Sequence, residues 1–143
     1  MSSPVDFKSL SVLVIDDEVF MRQLIIRVLN ELGTNQITSA KDGDEGLAKV
    51  AEVGSSLDII LCDLEMPEMN GFEFVRQLRS SKHVPNPNIP VLIITGHSDQ
   101  ENIKEAVNSG INGFLVKPIS KINLETRVKS ALKGKLIDPG LLK

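Results

Sequence analysis

Ser11-Val12-Leu13-Val14-Ile15-Asp16-Asp17 sets a run of aliphatic residues directly against two acids. Val12 to Ile15 is near-continuous in apolar residues rather than alternating, which is how a strand buried on both faces reads. Short runs of strand length recur at residues 36–40, 58–62, 91–95 and 112–116, and three of the five are near-continuous in Val, Ile and Leu. The stretches between them carry helical spacing. Phe20, Leu24, Val28 and Leu32 fall four apart, with Met21, Ile25 and Leu29 beside them, and predict a helix with a wide apolar face. Gly33 stands where that helix should stop. Asp42 with Glu45, and Ser98 with Glu101, have capping-box spacing and mark two further helix starts. Phe72, Val75 and Leu78 give a third helix its inner face, and Ile103, Ala106 and Val107 a fourth. Ile122, Leu124, Val128 and Leu132 give a less regular fifth.

Strand and helix alternating in this way predict an α/β fold, a doubly wound parallel sheet of five strands with helices on both faces and right-handed crossovers. The chain is too short for a closed eight-fold barrel, so the flavodoxin-like strand order 2-1-3-4-5 is expected. Residues 80–90 hold three prolines and two asparagines and predict an exposed connection. Residues 1–9 form an N-terminal extension, 10–133 one domain, and 134–143 a tail with the turn signal Asp138-Pro139-Gly140.

The 143 residues suffice for one domain with a real core. Hydrophobic residues make up 41% and charged residues 24%, which are globular values and argue against disorder away from the ends. The net charge of −3, without a cluster of Lys and Arg, argues against direct nucleic-acid binding. No apolar run approaches the roughly 18 residues of a membrane span, and the N-terminus does not read as a secretory signal. The single cysteine, Cys62, can make no internal disulfide, which fits a reduced cytoplasmic setting. Although it precedes an acid, Cys62 reads as small apolar strand filler rather than a nucleophile.

Ligands of an open parallel sheet bind outside the carboxyl ends of its strands. Here the first strand ends in Asp16-Asp17, the third in Asp63, the fourth in Thr95 and the fifth in Lys117. Carboxylates brought together repel, and either their pKa values rise or a cation offsets them. Magnesium suits such a site, because it prefers oxygen ligands and works with one or two carboxylates plus phosphate oxygens. Lys117 adds a point charge and Thr95 a hydroxyl donor. That surrounding stabilises a transferring phosphoryl group, and a carboxylate can itself be the nucleophile that takes it.

These residues resemble the receiver domain of two-component response regulators, of the single-domain chemotaxis-regulator type. The resemblance covers about residues 10–133. It rests on Asp16-Asp17, on Asp63-Leu64-Glu65-Met66-Pro67-Glu68-Met69-Asn70-Gly71, on Thr95 and on Lys117-Pro118. It implies that Asp63 is the phosphoacceptor in a bacterial phosphorelay. It implies Asp17 and Asp63 as metal ligands, Asp16 as the acid that reaches the metal through water, and the Glu65 backbone carbonyl as a further ligand. The metal is Mg2+, with Mn2+ as an alternative. Thr95 and Lys117 are implied as the groups that close on the phosphoryl, Phe114 as an aromatic switch, and Lys117-Pro118 as a cis peptide. Glu65 and His97 hold the positions that tune phosphoryl lifetime. The implied partners are a histidine kinase or phosphotransfer protein, and a downstream protein on the face from Glu101 to Leu132. The resemblance also implies a monomer or a phosphorylation-promoted dimer.

Taken singly, each residue has a plainer reading. Asp16, Asp17 and Asp63 are candidate caps, Thr95 strand filler, Lys117 a surface lysine and Phe114 core. Their joint placement at strand ends is what favours chemistry. An aspartate phosphatase would carry its nucleophile after the first strand, with a second acid two residues on, whereas Asp16 and Asp17 are adjacent. A flavin site would need a Ser/Thr/Gly-rich phosphate loop there. An unphosphorylated binding module would tend to lose the acids or the lysine. The chain is therefore expected to turn over no metabolite, and to act alone or as the receiver part of a longer regulator. Asn70, where Asp is frequent in the family, suits the same turn before Gly71. Gly96 after Thr95, where Ala is common, leaves room at the site.

Overall fold

A computed structural model describes residues 5–96, 104–105 and 108–134. The five strands are β1 (Ser11–Ile15), β2 (Gln36–Ala40), β3 (Ile59–Asp63), β4 (Val91–Thr95) and β5 (Gly113–Val116). The helices are α1 (Val19–Leu32), α2 (Gly43–Val53), α3 (Gly71–Ser80) and α4 (Lys121–Ala131), with short 3-10 turns at Phe7–Ser9 and Gly54–Ser56. All strand pairs are parallel and the order is β2-β1-β3-β4-β5, as the alternating pattern predicts. The helix predicted around Ile103, Ala106 and Val107, and its Ser98–Glu101 cap, lie outside the described residues.

Strand parity sorts the core. Leu13, Ile15, Ile60, Cys62, Val91 and Ile93 face one way, under Val50 of α2 and Phe72, Phe74, Val75 and Leu78 of α3. Val12, Val14, Ile59, Leu61, Leu92 and Ile94 face the other, under Ile25, Val28 and Leu29 of α1 and Leu124, Val128 and Ala131 of α4. Because both faces of β1, β3 and β4 are covered, their runs are apolar at successive positions, as from Val12 to Ile15, Ile59 to Cys62 and Val91 to Ile94. Each such side chain contributes about 1.5–3 kcal/mol when removed from water.

Local signals end the helices as their chemistry requires. Gly33 sits at φ 110°, where its N–H reaches Asn30 O and Leu29 O and closes α1. Asp42 caps α2 by accepting from the Glu45 N–H at 2.8 Å. The sequence reading of two helices needs correction at their starts. Phe20 is 84% exposed and Ile122 71% exposed, so neither belongs to an inner face. Both stand in the first turn of their helices, above the carboxyl rim of the sheet, where no element among the described residues covers them.

Two strand starts shift by one residue, and β3 also ends one residue later, at Asp63. Asp58 stands before β3 and clasps the start of β1, its carboxylate accepting from the Ser11 N–H at 2.8 Å. Asn112 stands before β5, and its Oδ1 accepts from Val91 N at 2.9 Å. The connection at 80–90 is also less loose than its prolines suggest. Val84 and Ile89 are buried, and Arg79 of α3 donates to Pro87 O at 2.9 Å and Ile89 O at 2.6 Å. The same guanidinium reaches Gly110 O at 2.9 Å and Asn112 Oδ1 at 3.0 Å. One charged fork thus ties the segments leading into β4 and β5 to α3. Burial pulls its pKa below the ordinary arginine value. Arg79→Ala is expected to cost roughly 3 kcal/mol, because it strands several half-buried acceptors. Arg79→Lys should recover less than half of that, since an ammonium cannot span the fork. Urea unfolding of the three proteins measures both.

Candidate phosphoacceptor and metal site

The register brings the strand ends level. Ile15 pairs with Cys62, Asp63 with Ile94, and Thr95 with Val116. Lys117 N then donates to Thr95 O at 2.7 Å, placing Lys117 one step past β5. Asp16, Asp17, Asp63, Thr95 and Lys117 therefore share one rim. Carboxylate oxygens of Asp16, Asp17 and Asp63 lie within 4.8 Å of one another. Lys117 Nζ donates to Asp63 Oδ1 at 3.2 Å.

The backbone around each acid is held separately. Asp16 Oδ1 accepts from the Glu18 N–H at 2.9 Å, and Asp16 O accepts from Arg22 Nη1 at 2.7 Å. Arg22 escapes a sequence reading, because nothing in its spacing distinguishes it from other helix cations. After Asp63 the chain turns back sharply, with Leu64 N on Ile94 O at 2.9 Å and Gly71 N on Leu64 O at 3.0 Å. A Cβ on Gly71 would meet Asp63 O at 2.8 Å, so only glycine lets α3 start this close to the acid. Asn70 is more than a turn residue. It caps α3 in a reciprocal box with Glu73, a pairing legible in the three-residue spacing but not drawn from it.

Asp16 is 0% exposed and Asp63 3% exposed, whereas Asp17 faces solvent. Burial, then the charge of Asp16, raise the Asp63 pKa to about 7 against the opposing pull of Lys117. Asp16 is also raised, chiefly by burial, with the Glu18 N–H opposing. Burial by itself would lower Lys117, but the charge and hydrogen bond of Asp63 outweigh it and hold the ammonium above its ordinary value. Cys62 is fully buried and its thiol is pushed well up, by burial and then by Asp63 and Asp16, so it is strand filler beside the site.

Among the described residues Asp16 Oδ2 is buried without a hydrogen-bond partner. An orphaned carboxylate oxygen, with further carboxylate oxygens within 4.8 Å, fits a hard divalent cation. The other assigned positions fall as follows. The Thr95 side chain is buried, and its hydroxyl donates to the Glu65 carboxylate on the loop after Asp63. Glu65 is exposed. Phe114 is half-buried against the core under α2 and α3. The Lys117–Pro118 peptide is cis. His97 lies outside the described residues. A groove of about 420 Å³ between α2 and α3, lined by Leu47, Ala51, Gln77 and Val84, lies away from the acids.

A five-stranded parallel sheet with three acids and a lysine converging on its carboxyl rim defines the class of receiver domains. This chain belongs to the response regulator receiver domain family, whose model matches residues 12–129. It is 31% identical over 121 residues to chemotaxis protein CheY-3 of Vibrio cholerae, covering 85% of this chain and 90% of that one. It is 35% identical over 121 residues to the osmosensing histidine protein kinase SLN1 of Saccharomyces cerevisiae, where the match spans 82% of this chain and 10% of the kinase. The solved Vibrio cholerae CheY4 superposes with a TM-score of 0.76 at 32% identity, over 85% of this chain and 98% of that one. CheY in the CheX-CheY-BeF3-Mg+2 complex of Borrelia burgdorferi gives 0.77 at 27% identity, over 85% and 87%. Among the described residues no helix is long and apolar enough to cross a membrane.

The raised Asp63 pKa has a stability consequence. Without a metal, native Asp63 holds a proton up to about pH 7, while the unfolded chain releases it near 3.8. The native state therefore binds more protons in that window, and its stability falls as pH climbs through it. In chelator at about pH 8, Asp63→Asn should melt at least about 3 °C above the native protein. The gap should shrink toward the acid end of the window. Thermal melts across pH measure it.

Proposed function

We propose that this receiver domain is a signalling switch that takes a phosphoryl group on Asp63 from a phosphohistidine of a histidine kinase or phosphotransfer protein. The observation that carries this reading is the convergence of Asp16, Asp17 and Asp63 on one rim, with Lys117 Nζ 3.2 Å from Asp63 Oδ1.

In the transfer, an Asp63 carboxylate oxygen forms a bond to phosphorus as the phosphorus–nitrogen bond to the imidazole breaks. The electron pair returns to the ring nitrogen. Asp63 must be ionised to attack, so Lys117 serves by favouring the carboxylate and by neutralising charge on the transferring group. Thr95 supplies a hydroxyl donor to the phosphoryl oxygens. Asp17 and Asp63, the Glu65 backbone carbonyl and, through water, Asp16 would hold Mg2+, or Mn2+ in its place. The bound ion supplies charge neutralisation of the carboxylates and of the phosphoryl oxygens.

The output is a population shift. Phosphoryl oxygens favour the arrangement in which Thr95 and Lys117 close on Asp63, with Phe114 turning inward. The surface from Glu101 to Leu132 then changes its affinity for a downstream protein. The edge position of β5, with Phe114 half-buried and Val116 exposed, supports this route. Glu65 and His97 set how fast the acyl phosphate is lost. The chain performs this transfer and a slow self-hydrolysis, turns over no metabolite, and works in the cytoplasm as a monomer or a phosphorylation-promoted dimer.

Intact mass after incubation with acetyl phosphate tests the reading. One phosphoryl group should add to the native chain in the presence of Mg2+, and none in chelator or to Asp63→Asn. Lys117→Ala should slow the gain on the order of tenfold or more. No gain under any condition would leave an unphosphorylated binding module as the better reading.

A further inference from the structure

Thr95 ends β4 with a buried side chain, and Glu65 stands on the exposed loop that leaves β3. The two are thirty residues apart in sequence, yet the Thr95 hydroxyl donates to Glu65 Oε1. A threonine hydroxyl carries one proton, so it donates to one acceptor at a time. The phosphoryl group proposed for Asp63 brings three strong acceptor oxygens to the same rim. Carboxylate and phosphoryl oxygens therefore compete for one donor.

We infer that the Glu65 side chain is a positioning residue that holds the Thr95 hydroxyl in the resting arrangement, so that phosphorylation of Asp63 has to take that hydrogen bond away from Glu65. This rests on the reading of Asp63 as phosphoacceptor. It assigns to the Glu65 side chain a role separate from that of its backbone carbonyl and from any effect on hydrolysis.

Two features make the contact a reversible latch. The bond runs to a carboxylate oxygen, a stronger acceptor than a neutral carbonyl, and so holds a real resting preference. Glu65 is also exposed, so water satisfies the carboxylate once Thr95 leaves, and no buried orphan opposes the switch. The same carboxylate also places a negative charge two residues from Asp63, on the loop that leaves β3. Hydrogen bond and charge are separable by substitution. Glu65→Gln keeps an acceptor and removes the charge, and Glu65→Ala removes both. Each keeps the backbone carbonyl.

Beryllofluoride with Mg2+ serves as a stable phosphoryl mimic, and its binding is followed by the amide NMR signals of Thr95 and Lys117. Glu65→Ala is expected to bind it about fivefold tighter than the native protein. Glu65→Gln should gain clearly less. In a Thr95→Ala background, the difference between Glu65→Ala and Glu65→Gln should shrink clearly, because the part that runs through the Thr95 hydroxyl is gone. An equal gain for Gln and Ala, a difference undiminished without the Thr95 hydroxyl, or no gain at all would overturn the inference. The resting contact has its own readout. In the unliganded protein the Thr95 γ-methyl signal should shift in Glu65→Ala and stay near native in Glu65→Gln, and an unmoved signal would also overturn it. If the native protein binds no beryllofluoride while the resting shift is present, the reading of Asp63 fails and the competition falls with it. If beryllofluoride binds and the cycle shows no coupling, the inference alone fails.

Discussion

A carboxylate that is 3% exposed, with an oxygen within 4.8 Å of one on a wholly buried carboxylate, is the constraint on which the rest of this structure depends. Two such groups lose their hydration and repel each other, and nothing in a sheet end compensates by default. The Lys117 ammonium offsets part of the cost through its contact with Asp63. The rest appears as an Asp63 pKa raised to about 7 and an Asp16 oxygen without a partner. The site is thus unfavourable as it stands, and under the proposed reading a cation and a phosphoryl group would supply what it lacks. That is the energetic form a switch requires.

The strain is tolerable because the core beneath is uniform. β1, β3 and β4 are buried along their whole length, and parity divides their side chains between two apolar layers. The acids stand where the strands leave those layers, so burial that fixes Ile15 and Cys62 also fixes Asp16 and Asp63. Outside the core, a few polar clasps set the approach angles. Gly71 allows α3 to start against Asp63 O, and Arg79 holds the segments that lead into β4 and β5. The rim and the β5 edge are joined through the register, with Lys117 N on Thr95 O. Thr95 is therefore tied directly to the end of the edge strand.

The apolar runs, the Gly33 stop and the Asp42 cap were legible because each is a local signal, decided by period or by a backbone conformation few residues adopt. Phe20 and Ile122 were misassigned for the same reason. Their spacing is helical and apolar, but exposure is decided by which elements reach over the first turn, and spacing does not carry that. The 80–90 connection read as loose because prolines and asparagines are abundant there. Its anchoring comes from Arg79, whose acceptors include carbonyls as far on as Gly110.

By itself, the sequence determined the class of fold, the order of elements, and the identity of the acids, hydroxyl and lysine that end the strands. Apolar period and strand-terminal chemistry are one-dimensional, and a doubly wound sheet is the main way to bury such runs. Tertiary structure alone decided how these groups address one another. It buries Asp16 and Asp63 and leaves Asp17 in solvent, sets Lys117 against Asp63, and gives the Thr95 hydroxyl to Glu65. Those facts are differences of a few ångströms between residues far apart in the chain, set by strand register and loop closure, and no local pattern encodes them.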